Sequence, residues 1–403
     1  MEPSKDEKSA AGLFLVPALT IAFFSTCIIE SITSIFLIDL ATTFFGAPDS
    51  VSLAITGQLV TLASVVSVVF GILLGVLSVK YDHKKLLFSG VFCIALGTLG
   101  CLLAPNFFFM QVFYPLEGVG TVIVSAMSLA LIGELLVLAK RGKAMGWLLS
   151  GASIAGILSS VVIYFFFSNA QGWRPFLLWF ALPIALVSLV AVFFGVPSAS
   201  QRSVSTGENI YFKTFKQILL KKSSAACLIA NMIRHTAIAY AMVWVVSFFR
   251  ANFGLSISSS TLFTIGNLTL FTLGSIVGGH LVNKIGRKRQ IILMMLLASP
   301  ALIAAAFIPN LWISVILHYT FFFMSSMGYP ASMSLTIEQV PDSRGTMMSI
   351  NAIFITLGLA LGGAVGGVAL VLGGWISVLL SFAALSLIAV AIYFFFTKDP
   401  CAQ

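Results

Sequence analysis

Four ionisable side chains stand inside stretches that are otherwise apolar: Glu30, Glu117 and the adjacent pair Arg234 and His235, with His318 a weaker fifth. Charge held in hydrocarbon is costly, so such residues mark an ion, proton or substrate path unless another role explains them. A carboxyl group in that setting suits proton uptake and release, because desolvation disfavours its charged form. Imidazoles can titrate near neutrality. Two histidines without a third ligand make no metal site, and no cofactor is implied. Spacing adds polar neighbours. Tyr114, Glu117, Thr121, Ser125 and Ser128 step by three or four residues, as do Thr26, Glu30 and Thr33, while Asn231, Arg234, His235 and Ile238 cluster likewise. Such a stripe faces either a solvated cavity or a polar seam between packed helices. Glu117 has a second reading, as a structural or gating partner of Arg234.

The elements that carry these residues are membrane helices. Hydrophobic residues make up 59% of the 403 and charged residues 9%, and the mean hydropathy is +1.07. A soluble domain carries about 25% charged residues, so this chain belongs in a lipid bilayer. Twelve stretches reach the length of about 20 apolar residues that a span needs. They cover 12–38, 51–79, 86–104, 107–138, 144–167 and 175–196, then 224–249, 257–282, 289–308, 311–336, 345–371 and 375–396. The fold class is therefore an all-α membrane protein, divided into residues 1–197, a linker 198–223 and residues 224–403.

The net charge of +9 is carried in short basic runs between spans, which argues against nucleic acid. Nineteen of the 22 Lys and Arg fall on one side if the N-terminus is inside. That asymmetry places both termini in the cytoplasm, and the expected location is a plasma membrane of bacterial or archaeal type. The linker has a Ser/Gly-rich start and a basic, aromatic second part, Tyr211 to Lys216, expected to form a short interfacial helix. Of the five cysteines, four lie in apolar spans and none forms a CxxC pair, which suits buried thiols rather than a disulfide framework. No HExxH, paired-aspartate or Ser-His arrangement occurs in the spans, and no Walker A sequence anywhere, so neither enzyme chemistry nor nucleotide-driven pumping is expected.

The two halves repeat each other. Gly75 to Lys85 is echoed by Gly279 to Arg289, Lys140 to Gly146 by Ser343 to Ser349, and Gly172-Trp173 by Gly374-Trp375, at offsets near 203 residues. Two homologous membrane halves imply a binding site between them, as in many secondary transporters. The first repeat carries a more specific signal. Gly279 to Lys288 matches the loop signature Gly-x-Leu-x-Asp-[Arg/Lys]-x-Gly-Arg-[Arg/Lys] except for Asn283. The first copy is worn, with Val79, Asp82 and His83 as replacements. On these residues the chain resembles the major facilitator superfamily. Arg141 to Gly146 and the Trp173-Arg174 pair look most like its drug–proton antiporter branch.

The resemblance implies two pseudo-symmetric six-helix bundles, with spans 1, 4, 7 and 10 lining a central cavity and one monomer as the working unit. Glu30 then stands where many antiporters place an acidic coupling residue, and Glu117 is the second proton-coupling candidate. The residues expected to bind substrate are Thr26, Glu30, Tyr114, Glu117, Arg234, His235, Trp244, His318 and Phe322. Carboxylates at the inner ends of neighbouring spans suit a gate latch, with Lys84, Lys85, Glu134 and Arg141 in one half and Lys284, Arg287, Glu338 and Arg344 in the other. Tyr114 replaces the arginine usual in span 4 of that branch, and span 5 lacks the Gly-Pro ending. The expected function is proton-coupled export of a small organic compound, lipophilic or cationic, by alternating access. The alternative is symport or uniport of an organic anion or other metabolite on Arg234 and His235.

Overall fold

A computed structural model describes residues 5–136, 138–168, 172–197 and 215–400. Its helices are α1 (Lys5–Ile35), α2 (Leu37–Phe45), α3 (Ser50–Lys80), α4 (His83–Leu103), α5 (Phe107–Leu135) and α6 (Leu138–Phe166). They continue with α7 (Trp173–Gly195) and α8 (Lys222–Phe253). The last are α9 (Ile257–Ile285), α10 (Arg287–Phe307), α11 (Leu311–Glu338) and α12 (Arg344–Phe396). Ten of the described helices are long and apolar enough to cross a membrane. The 53 residues of α12 are interrupted at Gly373 and Gly374, where Gly374 takes φ 64 and ψ −160. Only glycine adopts that backbone readily, so α12 is two helical arms, 344–372 and 375–396, as the Gly374-Trp375 repeat predicts. With α6, the helix count is that of two six-span halves.

By internal contacts the chain forms two compact units. Residues 1–40 and 62–204 make the first, and residues 41–61 and 205–403 the second. Segment 41–61 packs within the second unit. There Gln58 Nε2 donates to Gly363 O at 3.4 Å and Thr61 Oγ1 to Ala360 O at 3.0 Å. Linker residues 198–214, including Tyr211, lie outside the described residues. Residues 215–220 are helical, and Ile218 is buried against Leu228, Met347 and Ile350.

In the first unit α4 and α5 form a tight hairpin. The turn is capped by Asn106, whose Oδ1 accepts from Phe109 N at 3.1 Å. Gly90 and Gly120 let the two backbones close on Ile123 and Ile94, the usual use of small residues between membrane helices. The second unit repeats the device in α10 and α11, where Asn310 Oδ1 accepts from Ile313 N at 3.1 Å. Asn106 and Asn310 are thus a further repeat at the same offset, one that sequence comparison missed. In the first unit Arg174 Nη2 donates to Ala104 O at 3.0 Å, satisfying a carbonyl that the end of α4 leaves free. The π-turn Leu177–Ala181 of α7 precedes Pro183, whose missing N–H leaves the carbonyl one turn earlier without its helical donor. The outer surface is apolar: Phe92, Phe165, Phe194, Leu372 and Phe395 are all more than half exposed, as lipid contact requires.

Candidate functional site

In the first unit the polar residues divide between two faces of α1. Thr26 and Thr33 are buried. The Thr26 hydroxyl donates to Phe23 O at 2.7 Å, and Thr33 meets Tyr114 Oη at 3.0 Å. Glu30 is exposed, in a stripe with the partly exposed Thr20, Phe23, Cys27 and Ser34. At about 100° per residue, Thr26 and Thr33 lie about 40–60° to one side of Glu30, and Cys27 and Ser34 as far to the other. The expected triad Thr26, Glu30, Thr33 is therefore split by packing against α5, and Glu30 is the member a ligand can meet.

Tyr114 and Glu117, one turn apart on α5, are both buried. Tyr114 points to α1 and Glu117 to α4, where Thr98 Oγ1 lies 2.8 Å from Glu117 Oε1 and 2.8 Å from Ile94 O. A hydroxyl has one hydrogen, so two acceptors compete for it. Glu117 Oε2 has no partner among the described residues, and Gly97 leaves the room in which the carboxyl group sits. Thr98 was not singled out from sequence, because a threonine inside an apolar span carries no charge signal.

In the second unit Arg234 is fully buried. Its Nη2 donates to Ser325 O at 2.9 Å and Nη1 to Ser332 Oγ at 3.4 Å, and the guanidinium lies 5.5 Å from the Tyr329 ring centre. Nε has no partner. The Ser325 carbonyl that Nη2 reaches lies five residues before Pro330, and Gln290 Nε2 donates at 2.7 Å to the nearby Met327 O. Both donors thus serve α11 backbone beside its proline. His235 is partly exposed, with Nδ1 2.8 Å from Asn231 O and its ring edge-on to Tyr329. A carbonyl only accepts, so Nδ1 donates and Nε2 is left with a lone pair in the neutral ring. Asn231 further ties Thr336, Asn351 and Tyr393 into one buried network.

Three expected binding residues are enclosed. His318 donates from Nδ1 to Ser314 O at 2.6 Å and accepts at Nε2 from Tyr240 Oη at 2.8 Å, and the rings of Phe248 and Phe249 close over it. Trp244 is fully buried and donates to Gly362 O at 3.2 Å. Phe322 is buried as well. Tyr240 and Trp244 sit in the π-turn Tyr240–Trp244 of α8, whose wide turn directs both inward.

At the loops, Glu134 Oε1 pairs with His83 Nδ1 at 2.8 Å, while Arg141 Nε donates to Leu136 O at 2.9 Å. Glu338 pairs with Arg344 at 3.1 Å, and Arg287 lies 3.9 Å from Asp399. The equivalent carboxylates Glu134 and Glu338 thus take different partners in the two copies. Lys85 and Lys284 are exposed, and Lys84 Nζ stands 5.9 Å from the Phe193 ring centre. In the worn copy Asp82 caps α4 by accepting from Lys84 N at 2.9 Å, where the second copy has Gly286 at φ 88.

The sequence profile described as Major Facilitator Superfamily matches residues 19–329 and, in a second overlapping match, 227–402. A candidate metabolite transport protein of Bacillus subtilis, YncC, is 30% identical over 192 residues, 46% of this chain and 40% of that one. The chain thus spans less than half the length of that relative. Multidrug resistance protein 2 of the same organism is 24% identical over 300 residues, 72% of this chain and 73% of that one. The crystal structure of a D-xylose–proton symporter superposes with a TM-score of 0.81 at 16% identity, covering 97% of this chain and 99% of that one.

Proposed function

The chain belongs to the Major Facilitator Superfamily and is a transporter rather than an enzyme, and we propose that it exports a small organic compound in exchange for protons by alternating access. Glu30 carries the reading: it is a carboxyl group left exposed inside a candidate span, whereas Glu117 is buried and the exposed Glu134 stands at the very end of its span, paired with His83. An exposed carboxylate beside Phe23 and Cys27 suits a lipophilic cation, since apolar and soft side chains adapt to varied ligands. Glu117 is the second proton carrier. Its orphan Oε2 and its competition with Ile94 O for the Thr98 hydrogen leave room for one more proton. The His83–Glu134 contact and the Glu338–Arg344 ion pair are the latches that break and reform, and the membrane is the plasma membrane with both termini in the cytoplasm. The likeness to Multidrug resistance protein 2 supports export, and the antiporter-like turn at 141–146 supports exchange. Transport by purified protein in vesicles with imposed pH gradients, with and without Glu30→Gln, tests it.

A second reading rests on Arg234 and His235. Among the described residues the guanidinium meets carbonyl, hydroxyl and ring groups but no carboxylate, so its charge is not neutralised, and Nε and His235 Nε2 have no partner there. Symport or uniport of an organic anion would use them. Anion uptake lost in His235→Ala and unaffected by Glu30→Gln favours this reading over the first.

A further inference from the structure

At the end of the second unit where α8 and α10 begin and α12 stops, three consecutive exposed phenylalanines fan round the helix end. Phe394, Phe395 and Phe396 are 57%, 72% and 51% exposed. Two ammonium groups flank them: Lys288 Nζ is 5.8 Å from the Phe394 ring centre and Lys222 Nζ 6.0 Å from that of Phe396. Lys288 spends one hydrogen on Phe394 O at 2.9 Å, a carbonyl the helix end leaves free, and keeps two others. Lys398 adds a further exposed charge, while the nearby Asp399 faces Arg287 at 3.9 Å. The arrangement recurs in the first unit. There Lys84, the repeat equivalent of Lys288, stands 5.9 Å from Phe193, and Phe193 and Phe194 are 57% and 78% exposed near the end of α7.

We infer that Lys222, Lys288 and the Phe394–Phe396 rings form a headgroup site for an anionic phospholipid, with a smaller twin at Lys84 and Phe193. Aromatic rings at a helix end lie at the boundary of acyl chains and headgroups. Ammonium groups held over those rings stand at the height of lipid phosphates, where each basic residue adds attraction for anionic lipid. The rings bury acyl chain, and each lysine, held over its own ring, meets a phosphodiester at the headgroup level. A zwitterionic lipid supplies the phosphate but cancels its charge with its own ammonium group. The site therefore discriminates by net charge. The equivalent lysines Lys84 and Lys288 each stand over an exposed ring near the end of the last helix of their unit.

The test is native mass spectrometry and thermal melting of the purified full chain with phosphatidylglycerol or phosphatidylcholine. Wild type should retain phosphatidylglycerol preferentially and melt higher in it. Lys222→Gln with Lys288→Gln should lower that preference by about thirtyfold, the equivalent of about 2 kcal/mol for two interfacial charges. Lys222→Arg with Lys288→Arg keeps the charge and should keep the preference, which also covers the case in which the glutamine variant folds poorly. Equal retention of both lipids by wild type overturns the site, as does an unchanged preference in the glutamine variant or its loss in the arginine variant. A melting shift reproduced by inorganic phosphate alone would assign the site to free phosphate instead.

Discussion

Removing the Thr98 hydroxyl tests the polar seam between α4 and α5 directly. Thr98→Val is nearly isosteric and takes away the hydrogen-bond partner of Glu117 Oε1, while Oε2 has none already. Hydrogen bonds between membrane helices contribute about 0.6 kcal/mol on average and up to about 1.7, and an unsatisfied buried group costs about 1–3 kcal/mol. A loss of about 1–2 kcal/mol is expected. Glu117→Leu should cost less, within about 1 kcal/mol either way, because it removes the acceptor and lets Thr98 serve Ile94 O alone. The double variant should then match Glu117→Leu, giving a coupling energy of about 1–2 kcal/mol in a double-mutant cycle. Reversible unfolding in mixed micelles measures all four proteins. Additive losses, or a Glu117→Leu cost well above that of Thr98→Val, would refute the idea that Thr98 is what holds this carboxyl group.

Other perturbations follow from the same geometry. Asn231→Ala strips the partners from Tyr393 Oη and Asn351 Oδ1; it should cost about 2–4 kcal/mol, and Tyr393→Phe should recover part of that in the same unfolding assay. Gly278→Ala would drive a methyl group into the Met327 backbone, whereas Gly133→Ala meets nothing. The first should lose about 1–3 kcal/mol and the second should be neutral or gain up to about 1. Asp49 caps α3 by accepting from Ser52 N at 2.7 Å, and the Ser52 hydrogen bonds hold its carboxyl below the usual aspartate range. Its contribution is therefore present near neutrality and lost as pH falls through that lowered pKa. Hydrogen exchange at the start of α3 should speed up in acid in wild type but not in Asp49→Asn. Charge reversal at Glu338→Arg should slow transport, and adding Arg344→Glu should restore it, if that pair is a latch.

The spans were legible because continuous apolar stretches and basic turns are a composition signal that needs no packing information. The break at Gly373–Gly374 was legible for a related reason, since it falls on a repeat position. Side-chain facing was less so. Helical spacing grouped Thr26 with Glu30, but a difference of about 40° decides whether a side chain packs on a neighbour or stays exposed, and sequence does not name that neighbour. Thr98 and Gln290 escaped notice for the same reason, being polar only in relation to Glu117 and to the α11 backbone. His83 was read as a worn signature position, yet it supplies the partner of Glu134. His318 and Trp244 were expected to meet substrate because they are polar or aromatic on lining spans, whereas the π-turn of α8 and the Phe248–Phe249 pair draw them into the core. A close reading of the Pro-Asn pairs at 105–106 and 309–310 would have extended the repeat.

The most direct test of the central claim is substrate efflux from vesicles holding purified wild type or Glu30→Gln, across a panel of lipophilic cations, anions and neutral solutes. Cation movement driven by an opposing proton gradient in wild type, and reduced in the variant to gradient-independent exchange, is the predicted result. Gradient-driven transport that survives intact in Glu30→Gln would contradict it.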